Sequence, residues 1–141
     1  MNKNVFDKHT LLIEACKARH FARVDPLLGG SGFRVGAALL CEDGEIITGC
    51  DVELYSTRVS ICAERTALVK AISIGKTKFL AIAVVSDADH PISPCAICRQ
   101  FLIEFGLNMP VIMSNYDLSE TVEMTIGELT PMPFIGNRTD L

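Results

Sequence analysis

Apolar residues recur along the first third of the chain with two different periods. Leu11, Leu12, Ala15, Ala18 and Ala22 fall at helical spacing, which predicts a helix that is capped by Asp7 or Thr10 and runs toward Arg23. Pro26 and Gly29-Gly30 then end it. Val35, Ala37 and Leu39 alternate instead, so residues 33–41 and 45–52 read as two strands. Glu42-Asp43-Gly44 joins them, because Asp-Gly favours a tight hairpin turn.

Residues 54–60 read as a loop that delivers Cys62 to the start of a helix running to Gly75, whose missing Cβ suits the position just past a helix end. An apolar run at 79–85 predicts a buried strand. A loop over 88–94 leads into a second helix, from about 95 to 105, with Gly106 as its stop. Residues 110–113 and 121–124 read as short strands and 126–129 as a helical turn. No repeat or low-complexity segment interrupts this order. Strands alternating with helices after an opening hairpin predict an α/β fold, a central mixed sheet with helices on both faces.

The length of 141 residues suits a single domain over 1–141 that can bury a core without disulfides. The hydrophobic share of 49% is high for a small monomer, which predicts apolar surface covered by partner subunits. No apolar run approaches the roughly 20 residues needed to cross a bilayer. The formal net charge is −4, and the lysines and arginines are scattered rather than gathered into a stripe that could neutralise phosphates, which argues against a nucleic-acid partner. The first eight residues lack the apolar core of a secretory signal. Six cysteines in such a chain predict a reducing, cytoplasmic setting and metal-binding or buried roles.

The chemistry concentrates in Cys62-Ala63-Glu64 and Pro94-Cys95-Ala96-Ile97-Cys98. Cys95 and Cys98 share a helical face and can point at one ion, and Cys62 must reach it from the other helix. Three thiolates suit Zn²⁺, and a site with three protein ligands keeps a position for water, whereas a closed structural site takes four. A structural knuckle completed by His90 is the competing reading. His9 and His20 read as surface or packing residues, and Cys16, Cys41 and Cys50 as small buried hydrophobes. Three thiolates on Zn²⁺ carry a formal excess of one negative charge, which two helix N-termini, Arg65 and Arg99 can offset. Glu64, two residues after a ligand, is the candidate proton carrier.

These motifs, together with Gly32-Phe33-Arg34-Val35-Gly36-Ala37-Ala38, Gly49-Cys50-Asp51-Val52-Glu53, Arg65-Thr66-Ala67, Cys98-Arg99-Gln100 and Glu128-Leu129-Thr130-Pro131, resemble the small zinc-dependent cytidine deaminases of pyrimidine salvage. The resemblance spans about 33–134. It implies a three-layer α/β/α sandwich, one zinc ion per subunit on Cys62, Cys95 and Cys98, Glu64 as the acid and base, and a homotetramer with sites shared between subunits. It also implies substrate contacts at Phe33, Asp51, Glu53, Ala63 and Phe134, the last reaching a neighbour's pyrimidine, and a charge-damping role for Arg65.

The substrate segment departs from the family pattern. Asp51 stands where an asparagine is usual, Leu54-Tyr55-Ser56-Thr57-Arg58 replaces Asn-Ala-Ser-Tyr-Gly, and Gly29-Gly30-Ser31-Gly32 replaces a Pro-Tyr-Ser segment. Tyr55 can substitute for a missing aromatic wall. Cytidine and deoxycytidine are the first expectation for the substrate, and a modified nucleoside of the blasticidin type is the alternative. A catalytically silent zinc-stabilised nucleoside-binding oligomer and a polynucleotide editor are the readings from other classes.

Overall fold

The computed structural model describes residues 6–28 and 32–141. Asp7 caps α1 (Lys8–Arg19) by accepting the His9 N–H at 3.0 Å, and Thr10 lies inside the helix with its hydroxyl on the same carboxylate. The helix ends at Arg19, short of the expected Arg23. Arg23 is recruited elsewhere, into a parallel bridge with Val52.

The hairpin forms as the pattern predicts. β1 (Val35–Cys41) and β2 (Ile46–Cys50) pair antiparallel, with Gly44 at φ 88 in the turn. β2 stops at Cys50 rather than 52, since Val52 leaves the ladder for single bridges to Arg23 and Ile61. α2 (Ala63–Ser73), β3 (Phe79–Ser86), α3 (Ala96–Ile103), β4 (Pro110–Ser114), β5 (Thr121–Thr125) and α4 (Ile126–Leu129) follow. α4 opens with a capping box between Thr125 and Glu128.

The sheet order is β2-β1-β3-β4-β5. Among the described strands of this sheet only β3 and β4 pair parallel, and α3 lies in the crossover between them. The sheet is therefore mixed.

Alternation along β1 divides the core into two layers. Ala38 and Leu40 join Ala81, Ala83, Val85 and Ile112 against Leu11, Leu12 and Ala15 of α1. Ala37, Leu39 and Cys41 face the other way, against Ala63, Ala67, Leu68 and Ala71 of α2 and Leu102 and Ile103 of α3. The result is an α/β/α sandwich in which each fully buried Leu, Ile or Val side chain contributes about 1.5–3 kcal/mol.

Two glycines set how closely the helices sit. A Cβ on Gly36 would lie 2.0 Å from the Ala15 carbonyl oxygen of α1, and one on Gly49 would lie 2.4 Å from the Ala67 nitrogen of α2. Backbone rests on backbone at both places, so the helix that begins beside Cys62 has a fixed height above the sheet.

Candidate metal centre and active site

Cys62 is the N-cap of α2 and Cys95 the N-cap of α3, with Cys98 one turn further into α3. Both cap positions are extended backbone, and the Cys95 sulfur accepts the Cys98 N–H at 3.5 Å. The three sulfurs lie within 4.8 Å of one another, and Cys62 Sγ is 3.7 Å from Cys95 Sγ. Thiolates on a tetrahedron with Zn–S of about 2.3 Å stand about 3.8 Å apart, so the donor set and its spacing fit one zinc ion. His90 is exposed and bonded to Asp89 at 2.7 Å, and it does not join the cluster.

The electrostatics favour thiolate at Cys62. Hydrogen bonds from Cys98 and then Arg65 pull the Cys62 thiol down to about 5, against an opposing push from burial. Arg65 Nη2 donates to Cys62 Sγ at 3.6 Å. The Cys98 thiol is pushed up, because its proton is shared with Cys62 and its sulfur is buried. A divalent ion would displace these protons, since metal binding requires deprotonated sulfur.

Glu64 sits in the first turn of α2, only 4% exposed. Its Oε2 accepts from Cys98 Sγ at 3.4 Å, and burial pushes its carboxyl up to about 7. A proton-carrying group is thus held against the metal ligands and away from bulk water. Ala63 is fully buried at the first helical position, whose N–H has no partner within the helix.

A cavity of about 380 Å³ opens beside the sulfurs, lined by Cys62, Cys95 and Arg65 together with Asp51 and Glu53. Thr57, Arg58, Ser60, Ile61 and Ile97 complete its walls. Asp51 Oδ1 accepts the Val35 N–H at 2.8 Å, which leaves its second oxygen for other contacts, and burial pushes this carboxyl up to about 6.

The remaining expected residues lie further out. Phe33 is half-buried just before β1 and outside the cavity lining. Phe134 is 77% exposed, with its carbonyl accepting from Gln100 Nε2 at 2.9 Å. Tyr55 is 83% exposed and lines no wall of this cavity. Arg99 donates Nη1 to the Leu129 carbonyl at 2.9 Å, an anchor between α3 and α4 rather than a bond to sulfur. The Gly29-Gly30-Ser31 departure lies outside the described residues.

Arg23 is a site residue that the sequence pattern does not reveal. Its N–H donates to the Asp51 carbonyl at 3.0 Å, its carbonyl accepts the Glu53 N–H at 2.7 Å, and its guanidinium bonds the Glu53 carbonyl at 2.5 Å. It brackets the segment that carries both pocket carboxylates. A lone arginine after a helix gives no signal for such a role.

Known proteins share this sequence and this fold. The cytidine and deoxycytidylate deaminase zinc-binding region matches residues 10–114. The chain is 45% identical over 131 residues to a cytidine deaminase of Sporosarcina psychrophila, covering 91% of each protein. It is 42% identical to a cytidine deaminase of Halalkalibacterium halodurans, covering 91% of this chain and 94% of that protein. The crystal structure of cytidine deaminase from Burkholderia pseudomallei superposes with a TM-score of 0.85 at 39% identity, over 92% of this chain and all of that one. The chain belongs to the zinc-binding cytidine deaminase family.

Proposed function

We propose that the protein is a single-domain, zinc-dependent deaminase that hydrolyses cytidine and deoxycytidine to uridine and deoxyuridine with release of ammonia. The observation that carries this reading is the buried Glu64 carboxylate in contact with a sulfur of a three-cysteine cluster that borders an open cavity. Cys62, Cys95 and Cys98 would hold the ion. When bound, zinc supplies a Lewis acid that makes water more acidic and takes up charge on the oxygen added to the ring.

Glu64 does the proton work. It takes a proton from the attacking water as the C4–O bond forms, and delivers it to N3. It then carries the remaining hydroxyl proton to the amino group, so that C4=O forms, the C–N bond breaks and ammonia leaves. Neither carboxylate oxygen is consumed over the cycle. Arg65 damps the charge of the thiolates.

Asp51 and Glu53, in the cavity wall, are placed to accept hydrogen bonds from sugar hydroxyls. The Ala63 backbone would face the ring, and Phe33, half-buried just before β1, would flank the site from outside this cavity's lining. Phe134 and Ile97, at 77% and 63% exposure, support a homotetramer in which a neighbour's aromatic ring completes each site. Among the described residues no helix is long and apolar enough to cross a membrane, in keeping with a cytoplasmic role in pyrimidine salvage. The 45% and 42% identities to cytidine deaminases favour the unmodified nucleoside over an extended one.

Mixing cytidine with protein that carries one zinc per chain tests this reading. Ultraviolet absorbance should fall as the amino group is lost, with stoichiometric ammonia. Absence of conversion by zinc-replete protein would overturn it and favour a silent nucleoside-binding oligomer.

A further inference from the structure

Two successive backbone N–H groups at the entry to β1 are taken by two carboxylates from different parts of the chain. Val35 N–H donates to Asp51 Oδ1 at 2.8 Å, and Arg34 N–H donates to Asp87 Oδ2 at 3.0 Å. Asp51 belongs to the cavity wall, and Asp87 begins the loop between β3 and the zinc-ligand cap Cys95. The peptide that follows Phe33 is therefore clasped to both halves of the site.

The Asp87 half is built more strongly than a turn requires. Asp87 N–H returns a bond to the Arg34 carbonyl at 3.0 Å, and Arg34 Nε also donates to Oδ2 at 3.0 Å. Behind it, Arg19 is only 6% exposed at the end of α1, with Nε 3.6 Å from Asp87 Oδ1. Arg19 Nη1 continues to the Ser86 and Tyr116 carbonyls at 2.9 and 3.1 Å. Tyr116 N–H in turn bonds the Ala88 carbonyl at 3.0 Å, so the start of the Cys95 loop is held from both sides. The charged Arg34 donor gives a bond stronger than a neutral one, and Arg19 adds an ion pair from the other side.

We infer that Asp87 is a positioning residue, which fixes the β1 entry with Phe33 and Asp51 in register with the loop that presents Cys95. The inference rests on the proposed deaminase reading for its kinetic readout, but not for its second one. Asp87 touches no reacting atom. Its loss should let the pocket wall drift from the ligand loop, and misplacement near a site is costly even when no contacting group is removed.

The test compares zinc-loaded wild type with Asp87→Ala and Asp87→Asn, reading kcat, KM for cytidine, and the rate of zinc transfer to a chromophoric chelator. For Asp87→Ala, KM should rise roughly five- to twentyfold with kcat changed less than about twofold, and zinc release should quicken by a similar factor. Asp87→Asn keeps an oxygen for the Arg34 N–H and should recover most of both. A merely structural role would lower the thermal midpoint and leave KM and zinc release at wild-type values, which would overturn the inference. If Asp87→Ala does not fold, Arg34→Ala removes the side-chain half of the clasp, and an unchanged KM with unchanged zinc release there counts against it equally. If the wild type turns over no cytidine, the deaminase reading fails while zinc release still decides the role of Asp87.

Discussion

Arg65 holds Nη2 3.6 Å from the Cys62 sulfur, one turn along the helix that Cys62 itself caps. Three thiolates leave a zinc centre with a net negative charge, which weakens its pull on electrons from oxygen. A guanidinium on one sulfur withdraws part of that charge, and outer partners of this kind are worth about 10–100-fold in activity or metal affinity. Arg65→Gln should lower kcat by at least about tenfold at saturating zinc, with Arg65→Lys intermediate. Steady-state assays on zinc-replete protein check this, and an unchanged kcat would make Arg65 an ordinary helix-surface charge.

Asp51 makes stability depend on pH in an unusual direction for an acid. Burial raises its carboxyl from 3.8 to about 6 in the folded protein, so the fold binds this proton more tightly than the unfolded chain does. Its favourable contribution is complete below pH 4 and is lost as pH rises through 6. At about 1.4 kcal/mol per pKa unit, the charged form costs on the order of 2–3 kcal/mol at pH 7 to 8. Asp51→Asn keeps an oxygen for the Val35 N–H and removes the charge. Urea unfolding from pH 4 to 8 should show the variant gaining stability relative to wild type as pH rises. A constant difference across that range would contradict the assignment.

Gly49 is predicted to tolerate no side chain. A Cβ there would meet Ala67 N at 2.4 Å and Ala63 O at 2.6 Å, both backbone atoms of the helix that starts at the zinc cluster. Rotamer changes cannot relieve that clash, so α2 must lift. Gly49→Ala should cost about 3 kcal/mol or more, the upper end of overpacking effects, and should weaken zinc binding together with the thermal midpoint. Normal zinc content and midpoint would show that the helix can move without consequence.

The elements were legible in the sequence because their signals are local. The Asp-Gly hairpin, the glycine stops at Gly75 and Gly106, and the apolar run of β3 each appear near the predicted place. The clustering of Cys62, Cys95 and Cys98 was legible because thiolate chemistry and helix-start geometry impose their spacing. Contacts between distant segments were not. Arg23 reaches Asp51 and Glu53 only because the chain folds back after α1, and that same recruitment ends the helix at Arg19. Asp87 and Arg34 meet across 53 positions of chain with no motif to pair them. Arg99 sits beside Cys98 in sequence, yet its guanidinium turns to the Leu129 carbonyl, because the side of a helix on which a long side chain settles is decided by its tertiary neighbours.

In the proposed reaction Glu64 carries protons beside a zinc ion held by Cys62, Cys95 and Cys98. The most direct measurement pairs zinc analysis with cytidine turnover for Glu64→Gln, which replaces the proton carrier by an amide of the same shape. One zinc per chain is expected in wild type and variant alike, with kcat in the variant reduced by about 10²–10⁴-fold. Turnover at the wild-type rate by a zinc-loaded Glu64→Gln protein would contradict it.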